Sequence, residues 1–129
     1  MERPVTEEIA AIAFAKAWNR LDYSLLESIF SDEIIYESQM VLKPLIGKKD
    51  VCEYLKRKME TINQLGDSTR VYAELGKVMG LICVIVAQGT KDNLEATVLF
   101  KVRENRLLRI DICIVPHPSE AIRFGVYPT

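Results

Sequence analysis

The stretch FAKAWNRLDYSLLESIFSDEIIYESQMVLKPLIGKKDVCEYLKRKM, residues 14–59, decides the fold. Its apolar period changes several times along the run. Up to Arg20 the apolar positions recur every three or four residues, the spacing of a helix face. Asn19-Arg20-Leu21-Asp22 breaks that pattern, and Asp22 suits the cap of a second, short helix over Tyr23–Phe30. Leu25, Leu26, Ile29 and Phe30 are expected to face inward there. Glu33–Gln39 alternates as a strand does, with Ile34, Tyr36 and Ser38 on one side and Ile35 and Glu37 on the other. Met40–Ile46 is extended but contains Pro44, so it allows at best a short edge strand. Gly47 opens a third helix whose buried face is Val51, Leu55, Met59 and Ile62. Lys48, Lys49, Lys56, Arg57 and Lys58 lie mostly away from that face and read as a solvated surface, and Gly66 is the stop.

Upstream, the first helix begins near Val5 and runs to Arg20, with Thr6 able to cap it. Glu7 and Glu8 lie in its first turn, where the helix dipole favours negative charge. Ile9, Ile12, Ala13, Ala17 and Leu21, with Phe14 and Trp18 beside them, make its apolar face. Downstream of Ser68 the period becomes two. Thr69–Val78, Leu81–Gln88, Leu94–Arg103 and Leu107–Val115 read as four strands joined by short turns, hence as consecutive antiparallel hairpins.

A three-residue turn at Glu104-Asn105-Arg106 pairs Phe100 with Ile110 and Val98 with Ile112. One face of this hairpin is then Val98, Phe100, Val102, Leu108, Ile110, Ile112 and Ile114. Glu95, Thr97, Leu99, Lys101, Arg103, Arg109, Asp111 and Cys113 share the other. The first face is core; the second meets solvent or another subunit. The tail, residues 116–129, contains three prolines and is expected to be extended and draped over the sheet.

A chain of 129 residues makes one domain, 1–129, large enough to need no disulfide or metal staple. Seventeen basic and 18 acidic side chains leave a net charge of −1, which gives no support to nucleic-acid binding. The three cysteines, Cys52, Cys83 and Cys113, are far apart and form no CxxC pair. They read as thiols of a reducing compartment. No phosphate loop, no metal-ligand spacing and no nucleophile elbow occurs, so no cofactor and no metal is expected. Acidic residues stand where a signal peptide needs basic ones, and no apolar run is long enough to span a membrane. The expected setting is cytoplasmic, with neither membrane nor nucleic acid as partner.

In this order of elements the chain resembles the NTF2-like superfamily, which includes ketosteroid isomerases, SnoaL-type cyclases and limonene-epoxide hydrolases. The resemblance spans residues 5–115. It is carried by Ala17-Trp18-Asn19-Arg20-Leu21-Asp22, by the run from Leu25 to Glu33, and by Gly47-Lys48-Lys49-Asp50-Val51 followed by Tyr54-Leu55. It implies an α+β cone: three N-terminal helices packed in a strongly bent, mainly antiparallel sheet. The convex face of that sheet is often a dimer interface in such proteins. Ketosteroid isomerases carry a tyrosine on the first helix, an aspartate base on the first strand and a protonated aspartate on a later strand. These positions fall here at Phe14, Ser38 and Val98 (or Leu99). None supplies a base or an oxyanion donor, so steroid-isomerase chemistry is excluded. Cyclases of the SnoaL type place an aspartate and a histidine in the cone, but the one histidine, His117, lies between two prolines past the last expected strand. The hydrolases' Asp-Arg-Asp set has its nearest imitation in Asp111 with Arg109 or Arg103, on the outer face in the register above.

Three readings follow. In the first, the cone holds a small apolar molecule against Phe14, Trp18, Phe30, Tyr36, Ser38, Tyr54, Val98, Phe100 and Ile112. In the second, the protein is a cyclase, dehydratase or hydrolase using Glu74, Asp111 or Tyr36. That reading needs a carboxylate inside the cone, whereas Glu74 shares its face with Arg70 and Tyr72 and Asp111 has Lys101 and Arg109 for salt-bridge partners. In the third it is an interaction module. Leu81–Ala87 is apolar on both faces, so something covers the outer side of the sheet, most simply a second copy of the chain.

Overall fold

The computed structural model describes residues 4–129. Three helices come first: α1 (Glu7–Arg20), α2 (Ser24–Glu27) and, after two strands, α3 (Lys48–Leu65). The strands are β1 (Phe30–Ser38), β2 (Leu45–Ile46), β3 (Val71–Val78), β4 (Leu81–Gln88), β5 (Leu94–Arg103), β6 (Arg106–Cys113) and β7 (Ile122–Val126). They form one sheet in the order β2-β1-β6-β5-β4-β3-β7. Only the β1–β6 pair is parallel. The sheet is curved and unclosed, and the α+β cone expected from the sequence is the fold observed. Pairing shifts register within β1–β6, β3–β7, β4–β5 and β5–β6. Each such irregularity bends a strand and raises its local twist.

Helix α1 starts as expected: Thr6 Oγ1 accepts from the Ile9 N–H at 3.1 Å. Its buried face is rotated from the expected one. Ala10, Ala11, Phe14, Ala15, Ala17 and Trp18 are buried, while Ile9, Ile12 and Ala13 are only half-buried. The small alanines let the helix approach β3, β4 and β5. The short helix is trimmed at both ends. Asp22 accepts from the N–H and hydroxyl of Ser24, at 3.0 and 2.7 Å, and the helix stops at Glu27. Phe30 opens β1 instead, paired with Leu107, and Leu25 is 47% exposed rather than inward. Helix α3 buries Val51, Leu55, Met59 and Ile62, as its period requires. Gly47 precedes it at φ +97°, a conformation other residues adopt only under strain.

The β5–β6 hairpin keeps the expected pairs, Val98 with Ile112 and Phe100 with Ile110. Its turn has two residues, not three. Glu104 and Asn105 both have positive φ, and Arg103 pairs with Arg106. A shift between Lys101 and Val102 absorbs the difference. Leu107, not Leu108, therefore enters the core, and Ile114 lies past the strand at 39% exposure.

The tail departs most from expectation. After a 3-10 turn at Pro118–Glu120 packed on β5, it forms β7 and pairs antiparallel with β3. A Cβ at Gly76 would meet the Ile122 carbonyl oxygen at 2.6 Å, so only glycine admits β7 at that spacing. Ala121 joins Val78, Cys83, Ile85, Leu94 and Leu99 in a small outer core. On the outward side of β4, Cys83 and Ile85 are buried in this cluster, to which the chain's own tail contributes Ala121, while Leu81 stays 53% exposed.

Two polar clamps fix this arrangement. Asn19, at the end of α1, brackets the edge of β3: Oδ1 accepts from the Ala73 N–H at 2.7 Å, and Nδ2 donates to the Ala73 carbonyl at 2.8 Å. The same Nδ2 donates to the Pro128 carbonyl at 2.7 Å. Glu74, 3% exposed on the outer face, takes the Arg123 guanidinium at 2.8 Å on one oxygen and the Gly125 N–H at 2.8 Å on the other. Among the described residues no helix is long and apolar enough to cross a membrane.

Candidate functional site

The inner face of the sheet and the helices leave a cavity of about 290 Å³ at one end of the cone. The topology explains where it lies. The ends of β1, β4 and β6 and the starts of β3 and β5 converge there, so residues distant in sequence share one chamber. Its floor is apolar: Phe14 and Trp18 from α1, Ile62 from α3, and Val71, Val86, Ala96 and Ile112 from the sheet. Phe14 stands edge-on to Phe100 at 5.4 Å and tilted to Trp18 at 6.2 Å between ring centroids. Tyr36 and Tyr54 form one wall, 5.3 Å apart. The rim is the exposed part, made by Met40 and Val41 of the β1–β2 loop and by Lys58 and Glu95, with Ser38 and Gln88 just inside.

The structure brings together six of the nine expected lining residues: Phe14, Trp18, Tyr36, Ser38, Tyr54 and Ile112. Phe30, Val98 and Phe100 are buried in the core but do not reach the cavity. Sequence reading missed the rim. Met40 and Val41 sit in a loop without period. The helical period assigns Lys58 to a solvated face, and strand alternation assigns Glu95 to the outward face of β5. Glu95 is where the strand rule fails for a visible reason. Val86 pairs with Ala96 but Ala87 pairs with Leu94, so Glu95 is the extra residue of a bulge. A bulge re-aims a side chain that alternation would send to the other face.

The carboxylates considered for catalysis are elsewhere. Glu74 is held by Arg123 on the outer face. Asp111 is also outward, its Oδ1 taking Arg109 Nε at 2.9 Å, while the other arm of Arg109 bonds Glu37. Neither Glu74 nor Asp111 lines the cavity. Tyr36 does, and burial is the main cause that pushes its hydroxyl well above the ordinary tyrosine range, with Tyr54 adding to it. It stays protonated at physiological pH. His117 is exposed and caps the turn after it, accepting from the Ser119 N–H at 3.1 Å. Burial also raises the thiols of Cys52, Cys83 and Cys113, that of Cys83 to about 11, so none is primed as a nucleophile at neutral pH. Among the described residues no group of three His, Cys, Asp or Glu side chains is placed to hold a metal ion. Trp18 Nε1 is buried with no hydrogen-bond partner among them.

The arrangement is thus an apolar chamber with hydroxyls on one wall and opposite charges at the mouth. No protein-family model matches the chain, and no curated protein matches it in sequence. Solved structures do match in shape. A SnoaL-like protein of unknown function from Burkholderia thailandensis superposes with a TM-score of 0.63 at 18% identity, over 86% of this chain and 98% of its own. A Sinorhizobium meliloti protein, provisionally a polyketide cyclase, gives 0.57 at 16% identity, over 78% and 90%. An NTF2-like protein from Cytophaga hutchinsonii gives 0.55 at 12%, over 90% and 97%. Identities this low speak for the fold alone, and the fold of this chain is the NTF2-like one.

Proposed function

We propose that the cone binds a small, mostly apolar molecule. The observation that carries this reading is the cavity itself: about 290 Å³, floored by buried apolar side chains and opening at one end. That volume is near the small end of ordinary ligand pockets, and an apolar lining with a few placed polar groups is their usual make-up. The reading of the chain as an enzyme built on Glu74 or Asp111 has less support. Each of those carboxylates has its own arginine partner outside the cone.

The test uses the protein's single tryptophan, Trp18, which forms part of the cavity wall. A panel of small apolar compounds is titrated while Trp18 fluorescence and the melting temperature are followed. A ligand that binds only the folded state raises the melting temperature with concentration. The expected result is saturable change in both signals for some members of the panel. Both are lost in Ala96→Phe, which fills the floor. A panel that moves neither signal, or moves both equally in the filled variant, overturns the reading.

A further inference from the structure

We infer that the preferred ligand is an amphiphile with a zwitterionic head, of the class of aromatic or branched apolar α-amino acids, held by Lys58 and Glu95 at the rim. This rests on the reading of the cone as a binding site and adds the chemistry of the head. The apolar floor fixes only the body of the ligand. The mouth holds one cation, Lys58 of α3, and one anion, Glu95 of β5. Neither takes part in the ion pairs among the described residues, which engage Arg109 with Glu37 and Asp111, and Arg123 with Glu74 and Asp92. Two opposite charges therefore share one small opening without neutralising each other.

Glu95 reaches that opening only through the β4–β5 bulge. In a regular strand it would lie on the outer face with Thr97 and Leu99. The bulge gives up regular pairing at this point, and its consequence is a carboxylate at the mouth of an apolar chamber.

The neighbouring polar groups extend the pattern. Gln88, which lines the site, donates one of its two Nε2 hydrogens to the Thr69 carbonyl at 3.0 Å, and that bond leaves its other N–H and Oε1 unused. Ser38 Oγ accepts from the Met40 N–H at 3.2 Å, which leaves its own hydrogen to donate. The rim thus offers both an ammonium and a carboxylate, a hydroxyl donor and an amide. A ligand with a carboxylate alone meets Glu95 as well as Lys58. One with an amine alone meets Lys58 as well as Glu95. A head that carries both charges meets an opposite charge on each side. The two rim side chains are exposed, so each contact is screened by water and contributes modestly. Its effect is on selection among ligands more than on total affinity.

Four probes with one phenyl body separate the parts: L-phenylalanine, 3-phenylpropanoate, 2-phenylethylamine and propylbenzene. Binding of each to the full chain is read from Trp18 fluorescence. The expected result is that L-phenylalanine binds about fivefold more tightly than either singly charged probe. In Lys58→Met its advantage over 2-phenylethylamine disappears, and in Glu95→Gln its advantage over 3-phenylpropanoate disappears. Propylbenzene binds equally to the parent and both variants. If propylbenzene binds but L-phenylalanine binds no better than the singly charged probes, the head assignment is overturned and the apolar cone stands. Unchanged probe rankings in both variants overturn it as well. If none of the four binds, this inference falls, and the wider panel of apolar compounds decides the reading of the cone.

Discussion

On the inner face of the sheet, Val84, Val98, Ile110 and Ile112 meet the helices and, at one end, an open chamber. On the outer face Cys83 and Ile85 share a small cluster with Leu99 and with Ala121 of the chain's own tail, and Glu74 is sealed beneath Arg123. The two faces come from the same strands, often from adjacent residues. The inner face leaves apolar volume unfilled and keeps its charges at the rim. The outer face buries a charge and satisfies it with one guanidinium and one backbone N–H. A buried carboxylate tied at both oxygens is anchored, whereas Lys58 and Glu95 at the rim make no ion pair among the described residues. Burial of an ionisable group, taken by itself, would have pointed to the wrong face.

Three single substitutions and one double variant test that contrast. The largest effect is expected from Phe14→Ala, which removes a fully buried ring packed against Phe100 and Trp18. A loss of about 3–5 kcal/mol is expected, measured as a lower urea midpoint at unchanged slope. A small loss would mean that the inner face collapses easily around missing volume, and the chamber would then not be rigidly held.

Next comes Arg123→Ala. It strands Glu74, whose side chain is 4% exposed, although Arg123 itself is 34% exposed and its contribution is reduced by water. A loss of about 2 kcal/mol is expected, with faster proteolysis of the tail as the local sign. Adding Glu74→Gln to Arg123→Ala should recover part of the loss, because the stranded charge is gone. A neutral Arg123→Ala would show that the tail is held by β7 pairing and the Asn19 clamp alone.

The smallest effect is expected at Thr97. Its side chain is fully buried on the outer face, and Oγ1 has no partner among the described residues. Thr97→Val keeps the shape and removes the unpaired hydroxyl, so stability should stay level or rise by about 1 kcal/mol. A clear loss, seen by thermal or urea denaturation, would place an ordered water or other partner at that hydroxyl.

The fold was legible because it follows from local period. The helix-3 face, the alternation of Ile34 and Tyr36, and the Phe100–Ile110 pairing are each visible within a dozen or so residues. The chamber was legible in part for the same reason: Phe14, Trp18, Tyr36 and Ile112 lie on faces that period assigns inward. Its rim was not. Met40 and Val41 sit in an aperiodic loop, Lys58 is on a helix flank, and Glu95 obeys a bulge that no single strand records. Bulges arise from the pairing of two strands, so one strand's sequence does not contain them. The seventh strand escaped for a related reason. Ile122–Val126 is exposed along its whole length and shows no buried face, and it pairs with β3 because Gly76 and Glu74 prepare the place for it.

The sequence by itself determined the α+β class, the order of the elements and the apolar inner face. These depend on residue identity and on the fixed periods of helix and strand. Only the tertiary structure decided that Glu74 is an anchor for the tail, that Glu95 stands at the mouth of the cone, and that the chain covers part of its own outer face. Those outcomes depend on which residues meet across the sheet. A one-residue shift in pairing there exchanges inside for outside.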